Sequence, residues 1–375
     1  MALPSNPATN HPSVKGTGSL WGMSASGHYS RRGKVILTAV VVALLALAAF
    51  ILPAGQITIL ESVIVLAVFA VSTNIVVGYS GLVTFGQSLF YGIGAYTIAL
   101  GWHNYHLPFV VLLFLGPVFA AIAAVPVGLV ALRTRRWFFA LVTLAFTQLM
   151  HTIVEQAYSF TQGATGVFGA MVPQSLSGVT SGYLFIAGVA VLTIGVLYFI
   201  MASPFGVTLK AVRENRRRAA AVGVNVYKHQ LVGFVVAGAG AGIAGELLVV
   251  QSSSAYPHLF SWLEAGNPLL ASLVGGINSF AGPIIGSVVF EVGKLEISQY
   301  TSQWELVLGI ILVAVVLLAP DGLVGLGPLL RKAANRLTGG KIEPPLDEEK
   351  VVEQLQMHPV ALHGKPPRGL GANGD

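Results

Sequence analysis

The sequence predicts an all-α, polytopic membrane helix bundle, and three observations predict it. Of the 375 residues, 54% are hydrophobic and only 10% charged, with a mean hydropathy of +0.75; soluble domains carry about 25% charged residues. Apolar runs of roughly 18 or more residues recur along the chain, long enough to cross a bilayer. The runs are continuous rather than alternating, which argues against a transmembrane barrel. Helices remain, because a span in lipid must satisfy its own backbone hydrogen bonds.

The runs fall at about Val35–Leu52, Ile57–Val77, Leu82–Gly101, Pro108–Leu132, Trp137–Val154, Tyr183–Met201, Gln230–Val250, Gly266–Val292 and Glu305–Ala319. The first follows a long polar tail and has no small-residue cleavage site after it, so it reads as a retained span rather than a signal peptide. Trp102, Tyr105, Trp137, Tyr183, Trp262 and Trp304 stand near run ends, where amphipathic rings meet the headgroups. Residues 1–33 and 331–375 are rich in Pro, Gly and polar residues and read as disordered cytoplasmic tails. They flank a transmembrane domain over 34–330.

Charge orients the spans. Basic residues cluster at Arg31, Arg32 and Lys34, at Arg133, Arg135 and Arg136, between Lys210 and Lys228, and at Arg331, Lys332 and Arg336. Cytoplasmic connections carry the excess of Lys and Arg, so an even number of crossings should separate the clusters. Four runs separate the first two clusters and two separate the next pair, but three follow the third. The eighth run, with Gly275, Gly276, Asn278, Gly282 and Pro283 in its middle, resolves the parity if it is two short helices that enter and return on the outer side. Non-helical backbone is tolerated at depth when protein surrounds it. The expectation is about eight full spans plus a broken re-entrant hairpin, with both termini cytoplasmic. Net charge is +6, which in such a chain fits anionic headgroups of the lipid bilayer rather than nucleic acid. There are no cysteines, which excludes disulfides and thiolate metal sites.

Residues 204–229, PFGVTLKAVRENRRRAAAVGVNVYKH, are too basic to lie in hydrocarbon and rich in helix formers. A short helix shown on the cytoplasmic face offers a soluble partner a handle. Glycines mark a second feature. From Gly78 to Leu100 the chain reads GYSGLVTFGQSLFYGIGAYTIAL. Gly86, Gly92 and Gly94 allow close helix approach, as do Gly238 and Gly242 in a G-x-x-x-G pair and Gly275, Gly276 and Gly282 in the broken run. Asn74, Thr84, Gln87, Ser88 and Tyr91 add polar groups in or beside the same stretch. They serve either as glue between helices or as the lining of a translocation path, with Asn278 and Glu246 as further path candidates.

This stretch resembles the signature of branched-chain amino-acid ABC transporter permeases, specifically the LivM-type subunit. The resemblance runs on through Thr143–Val154, Thr161–Val167, Phe205–Asn225, Leu269–Val289 and Leu308–Leu326 in collinear order. It implies that the loop holds a coupling helix, at about Leu209–Gly223, that sits in a cleft of an ATPase subunit. Leu209, Lys210, Arg213, Glu214, Ala220 and Gly223 would carry that contact. Ala220 stands where an acidic residue is common, and Arg216, Arg217 and Arg218 make the loop unusually basic. The resemblance further implies a second homologous permease subunit, two ABC ATPase subunits, an extracytoplasmic substrate-binding protein and the inner membrane of a prokaryote. The implied cargo is aliphatic amino acids, with urea or short amides as the alternative. ATP and Mg would be bound on partner subunits, with no cofactor on this chain and no catalytic residue.

Other motifs point elsewhere and fail. Gly240, Gly242 and Gly245 satisfy G-x-G-x-x-G but sit in an apolar run with no preceding strand, so a dinucleotide site is rejected. No G-x-x-x-x-G-K-[ST] occurs. His103 and His106 lack a third ligand nearby and read as ordinary loop residues rather than a metal site. Glu61, His151, Glu155, Glu246 and Glu291 all lie toward run ends, so no charge stands near the midplane as in many ion-coupled secondary transporters. A scaffold would need no broken helix at depth. Glu291 should pair with Lys294 three residues on. Glu246 reads more as a water-exposed residue near the membrane surface than as a functional one.

Overall fold

The computed structural model describes residues 47–49, 51–134, 136–169, 172–303, 306–311, 313 and 322–325. Both tails, most of the first expected run and most of the ninth lie outside the described residues. The helices follow in the order α1 (Ala54–Asn74), α2 (Gln87–Tyr105), α3 (Phe109–Ala131), α4 (Arg136–Gln156), α5 (Val179–Ala202), α6 (Pro204–Glu214), α7 (Arg216–Ala221), α8 (Val226–Ser252), α9 (Trp262–Gly275) and α10 (Gly282–Tyr300). A π-helical turn at Ile75–Tyr79 continues α1. Among the described residues, five helices are long and apolar enough to cross a membrane: α1 with its π turn, α3, α4, α5 and α8.

Burial sorts these five. The apolar windows of α1 and α8 are 83% and 67% buried, while those of α3, α4 and α5 are 28%, 22% and 33% buried. The first two are therefore the centre of the bundle and the other three its flanks. Lipid gives no hydrophobic drive for helices to associate, so they hold together by close packing, and small residues decide where that happens. Along one seam, Gly116, Ala120, Ala124 and Gly128 of α3 meet Glu246, Gly242, Gly238 and Phe234 of α8 in antiparallel order. A β-carbon on Gly238 would lie 3.0 Å from Ala124 Cβ, and one on Gly242 would lie 2.7 Å from Ala120 Cβ. On the other side of α8, Gly94 of α2 abuts the carbonyl of Gly242, and Gly245 abuts that of Tyr91. Three helices thus touch at backbone distance.

The third expected run begins later than Leu82. Residues 81–86 are not helical, and α2 starts at Gln87. Gly81, at φ +67, turns the chain, and Thr84 Oγ1 accepts a hydrogen bond from the Gly86 amide at 3.0 Å. The all-α expectation also missed a small clip. Val167–Phe168 pairs antiparallel with Ser254–Ala255, joining the α4–α5 connection to the one that follows α8.

The eighth run is broken at 276–281. Its arms, α9 and α10, are about 21 and 28 Å long at roughly 1.5 Å per residue. Both pack on α1, where Leu66, Ala70, Ala271, Phe290 and Leu308 form their own apolar cluster. Gly276, at φ +112, ends α9 in a conformation that side chains rarely adopt. Ser279 Oγ then accepts from the Gly282 amide at 2.8 Å as α10 begins.

Replacing Gly242 by Leu should destabilise the fold, because the added carbons have no space between two backbones; overpacking costs about 1–3 kcal/mol. Gly188 of α5 has nothing within 4 Å of a β-carbon and serves as the control. Thermal unfolding in detergent should show a lowered midpoint for Gly242→Leu and an unchanged one for Gly188→Leu.

Candidate functional site

The basic loop forms two short helices rather than the single one expected at Leu209–Gly223. Ser203 caps α6 by accepting from the Phe205 amide at 3.3 Å, and Pro204 takes the first turn, where its missing amide costs nothing. Asn215 is extended (φ −152, ψ 99) and ends α6. Its side chain then caps α7, accepting from the Arg218 amide at 2.9 Å. An Asn between two Arg-rich stretches carried that break, since its short polar side chain competes with the helix for amides.

Helical spacing divides the loop into two faces. Gly206, Leu209 and Val212 of α6 and Ala219 of α7 are buried. Val207, Glu214, Ala220 and Val222 face solvent, with Val207 65% and Val222 76% exposed. Gly223, also exposed, turns the chain at φ +89. Three of the basic residues reach into the membrane body. Lys210 Nζ stands 4.7 Å from the centroid of the Tyr79 ring. Arg216 Nη2 donates to Gln230 Oε1 at 2.7 Å. Arg213 donates from Nη1 to the carbonyl of Gly78 and from Nη2 to Asn278 Oδ1 at 2.8 Å.

Arg213 therefore joins three elements: the loop, the π-helical end of α1 and the tip of the α9–α10 hairpin. Asn74 supports the same junction, its Nδ2 donating to the Ser279 carbonyl at 3.2 Å. Further along the pair, Ser272 Oγ donates to the Ala70 carbonyl at 3.2 Å. The π turn lies where these contacts converge, as such turns often do at functional positions.

The other path candidates separate into two places. Thr84, Gln87 and Ser88 are buried at the start of α2. There Thr143 Oγ1 accepts from the Phe85 amide at 3.3 Å, and Thr147 Oγ1 donates to the Phe85 carbonyl at 3.1 Å. The side chains of Gln87 and Ser88 make no hydrogen bond among the described residues. Thr143 and Thr147 were not singled out in the sequence, although their i, i+4 spacing puts them on one helix face. Gly86 packs on Thr143, and Gly92 packs on the ring of Phe260. Tyr91 stacks on Phe69 with centroids 4.3 Å apart. Gly275 and Gly282 lie backbone to backbone where the hairpin arms meet.

Glu246 is not water-exposed. It is 0% exposed, its carboxyl lies against Gly116, and neither oxygen has a hydrogen-bond partner among the described residues. It continues the Gly238, Gly242 series at i+4, so helical spacing alone would have turned it into the seam. Glu61 is likewise buried, in α1. The Glu291–Lys294 pair is present, at 3.6 Å.

The profile of the family described as branched-chain amino acid transport system / permease component matches residues 55–316. The high-affinity branched-chain amino acid transport system permease protein LivM of Escherichia coli (strain K12) is 27% identical over 315 residues, covering 76% of this chain and 74% of that protein. The LivM protein of Salmonella typhimurium is 27% identical over 302 residues, covering 73% and 71%. The probable branched-chain amino acid transport permease protein LivH of Methanocaldococcus jannaschii is 31% identical over 161 residues, covering 38% and 49%. No solved structure matches the chain. Since the profile runs from the first turn of α1 to beyond α10, this chain belongs to the branched-chain amino acid transport permease family, as a permease of the LivM type.

Proposed function

We propose that this chain is the membrane-spanning subunit of an ATP-driven importer that moves aliphatic, branched-chain amino acids delivered by an extracytoplasmic binding protein. One observation supports this above the rest: Arg213 bonds the end of α1 and the hairpin tip, while the opposite face of α6 and α7 stays exposed. A soluble motor gripping that exposed face would have a rigid purchase on both membrane elements. The work of the chain is then mechanical, alternating access to a path rather than chemistry. Two ABC ATPase subunits would bind ATP and Mg, and a second, homologous permease would complete the pore. Relatives named both LivM and LivH support the idea of two permease types.

In this proposal the transmembrane domain spans 34–330 with about eight crossings and the re-entrant hairpin. The loop at 204–229 and both tails (1–33 and 331–375) face the cytoplasm, and the membrane is the inner membrane of a prokaryote. Glu214, Ala220 and Gly223 would meet the ATPase, with Leu209, Lys210 and Arg213 anchoring the loop from behind. Asn74, Thr84, Gln87, Ser88, Tyr91, Glu246 and Asn278 remain the candidates for the path.

Reconstituted with its partners in liposomes, the chain should support leucine uptake that requires both ATP and the binding protein. Uptake of urea but not leucine would replace the cargo, and leucine uptake without any ATPase would replace the mechanism. Arg213→Ala should leave assembly and ATP hydrolysis in place and lower uptake by about tenfold or more, since hydrogen bonds to a charged group contribute about 1.5–3 kcal/mol. Arg213→Lys should not restore it, because a single ammonium lacks the planar fork that reaches two acceptors. Full uptake by Arg213→Ala would remove the coupling role. Because the chain has no cysteine, Val222→Cys gives a single label site, which an impermeant maleimide should reach only from the cytoplasmic side.

A further inference from the structure

At the end of the bundle away from Arg213 lies a cavity of about 220 Å³. That falls below the range of about 300–1,000 Å³ typical of pockets for drug-sized ligands. It suits a compact molecule. Its lining is of two kinds. Phe69 from α1, Leu248 from α8 and Leu259 from the turn before α9 supply apolar surface, with Ser62, Gln251 and His258 on the same elements. The other kind is charged, with Glu264 from α9 and Glu291 and Lys294 from α10.

The charged wall is built, not incidental. Ser261 caps α9 by accepting from the Glu264 amide at 3.2 Å, which fixes the first turn that carries the carboxylate. Asn267 Nδ2 donates to Glu264 Oε2 at 3.2 Å and holds the side chain in place. Among the described residues no cation stands within ion-pair distance of Glu264, although Lys294 and Glu291 lie within electrostatic reach. Lys294 Nζ sits 3.6 Å from Glu291, and an ammonium has three donors to share among partners. Among the described lining residues stand two carboxylates, Glu264 and Glu291, and one ammonium, Lys294.

We propose that this cavity binds the zwitterion of a single aliphatic amino acid. Glu264 takes its ammonium, Lys294 takes its carboxylate, and the aliphatic side chain lies against Phe69, Leu248 and Leu259. The choice of an amino acid as cargo rests on the importer proposal; the demand for opposite charges beside an apolar wall rests on the cavity. Urea is neutral and small, so it would leave both charges unmatched and the apolar wall wetted. The cavity opens at the end where a binding protein would release its load, and Tyr91 is the one path candidate that lines it.

The test uses the full chain alone in lipid nanodiscs, with thermal shift and labelled-leucine binding as readouts. Leucine at up to tens of millimolar should raise the unfolding midpoint. 4-Methylpentanoate, which lacks the ammonium, isopentylamine, which lacks the carboxylate, and urea should not. Glu264→Gln and Lys294→Gln should each weaken leucine binding by about tenfold or more. The lysine side chain is 35% exposed, which keeps its variant foldable if the glutamate's is not. Leu248→Trp should abolish binding by filling the space. No shift from leucine, an equal shift from isopentylamine, or undiminished binding in both charge variants overturns the proposal. Binding in nanodiscs needs no motor. Leucine binding with no ATP-driven uptake would sink the importer and leave the cavity standing, while ATP-driven uptake indifferent to both charge variants would sink the cavity alone.

Discussion

The carbonyl of Gly242 lies where a β-carbon on Gly94 would have to stand, and Ala120 closes on Gly242 from the other side. Everything else in the bundle is arranged around that three-helix contact. In lipid, helices gain nothing by hiding apolar side chains from one another, so van der Waals contact at short range must hold them. Glycine and alanine supply it by letting backbones meet. The large side chains then pack around the contact: Phe90 sits edge-on to Phe234 at 5.4 Å, and Phe234 to Phe139 at 5.8 Å. The result is a tight body of α2, α3 and α8.

The α9–α10 hairpin is attached differently. It packs on α1 through a small apolar cluster of its own, and at its tip Phe280 meets the Tyr198 ring edge-on at 5.3 Å while the Ile277 carbonyl lies against Gly78. Hydrogen bonds add to these contacts, Ser272 to Ala70, Asn74 to Ser279 and Arg213 to Asn278. Force at α6 would therefore reach the hairpin directly, through Arg213. Its tip touches the loop, and its far ends carry Glu264 and Lys294 into the cavity wall. Motion of one end about α1 would reposition the other, and this would link the motor's grip to the grasp on cargo without any long chain of relayed contacts.

Much of this was legible in the sequence, for simple reasons. Continuous apolar runs mean helices in lipid, and the ends of α3, α5 and α8 fall within a few residues of the expected runs. Gly275, Gly276, Gly282 and Pro283 announced the break in the eighth run, because no other residues tolerate a turn so well or start a helix without an amide. The charge of the 204–229 loop set it apart from the apolar runs, and it forms the short helices α6 and α7. The direction in which side chains point was harder. Arg213 was expected to face a partner, yet it shares a face with Gly206 and Leu209 and points inward. Only the three-dimensional proximity of Gly78 and Asn278, 135 and 65 residues away, gives it acceptors there. The charged cavity lining was invisible for the same reason: Glu291 and Lys294 read as a bland local ion pair, and nothing in the sequence brought Glu264 to them.

Glu246 and Glu264 show how little an acidic residue says until its surroundings are known. Glu246 is fully buried in α8 at the centre of the bundle, Glu264 is half-buried at the start of α9, and in the sequence both look alike as acidic residues among apolar ones. Glu246 continues a series of small residues and lies against α3 at Gly116, so its position is a consequence of helix packing. Glu264 stands in the first turn of a capped helix, is oriented by an amide, and lines a space that Lys294 and apolar side chains also line. A carboxylate needs compensation when it leaves water, and the two sites differ in where it can come from. In the seam, no incoming cation could reach Glu246 without separating α3 from α8. In the cavity, an ammonium arriving with the cargo could pair with Glu264 and leave with it, which is the behaviour a transport site requires.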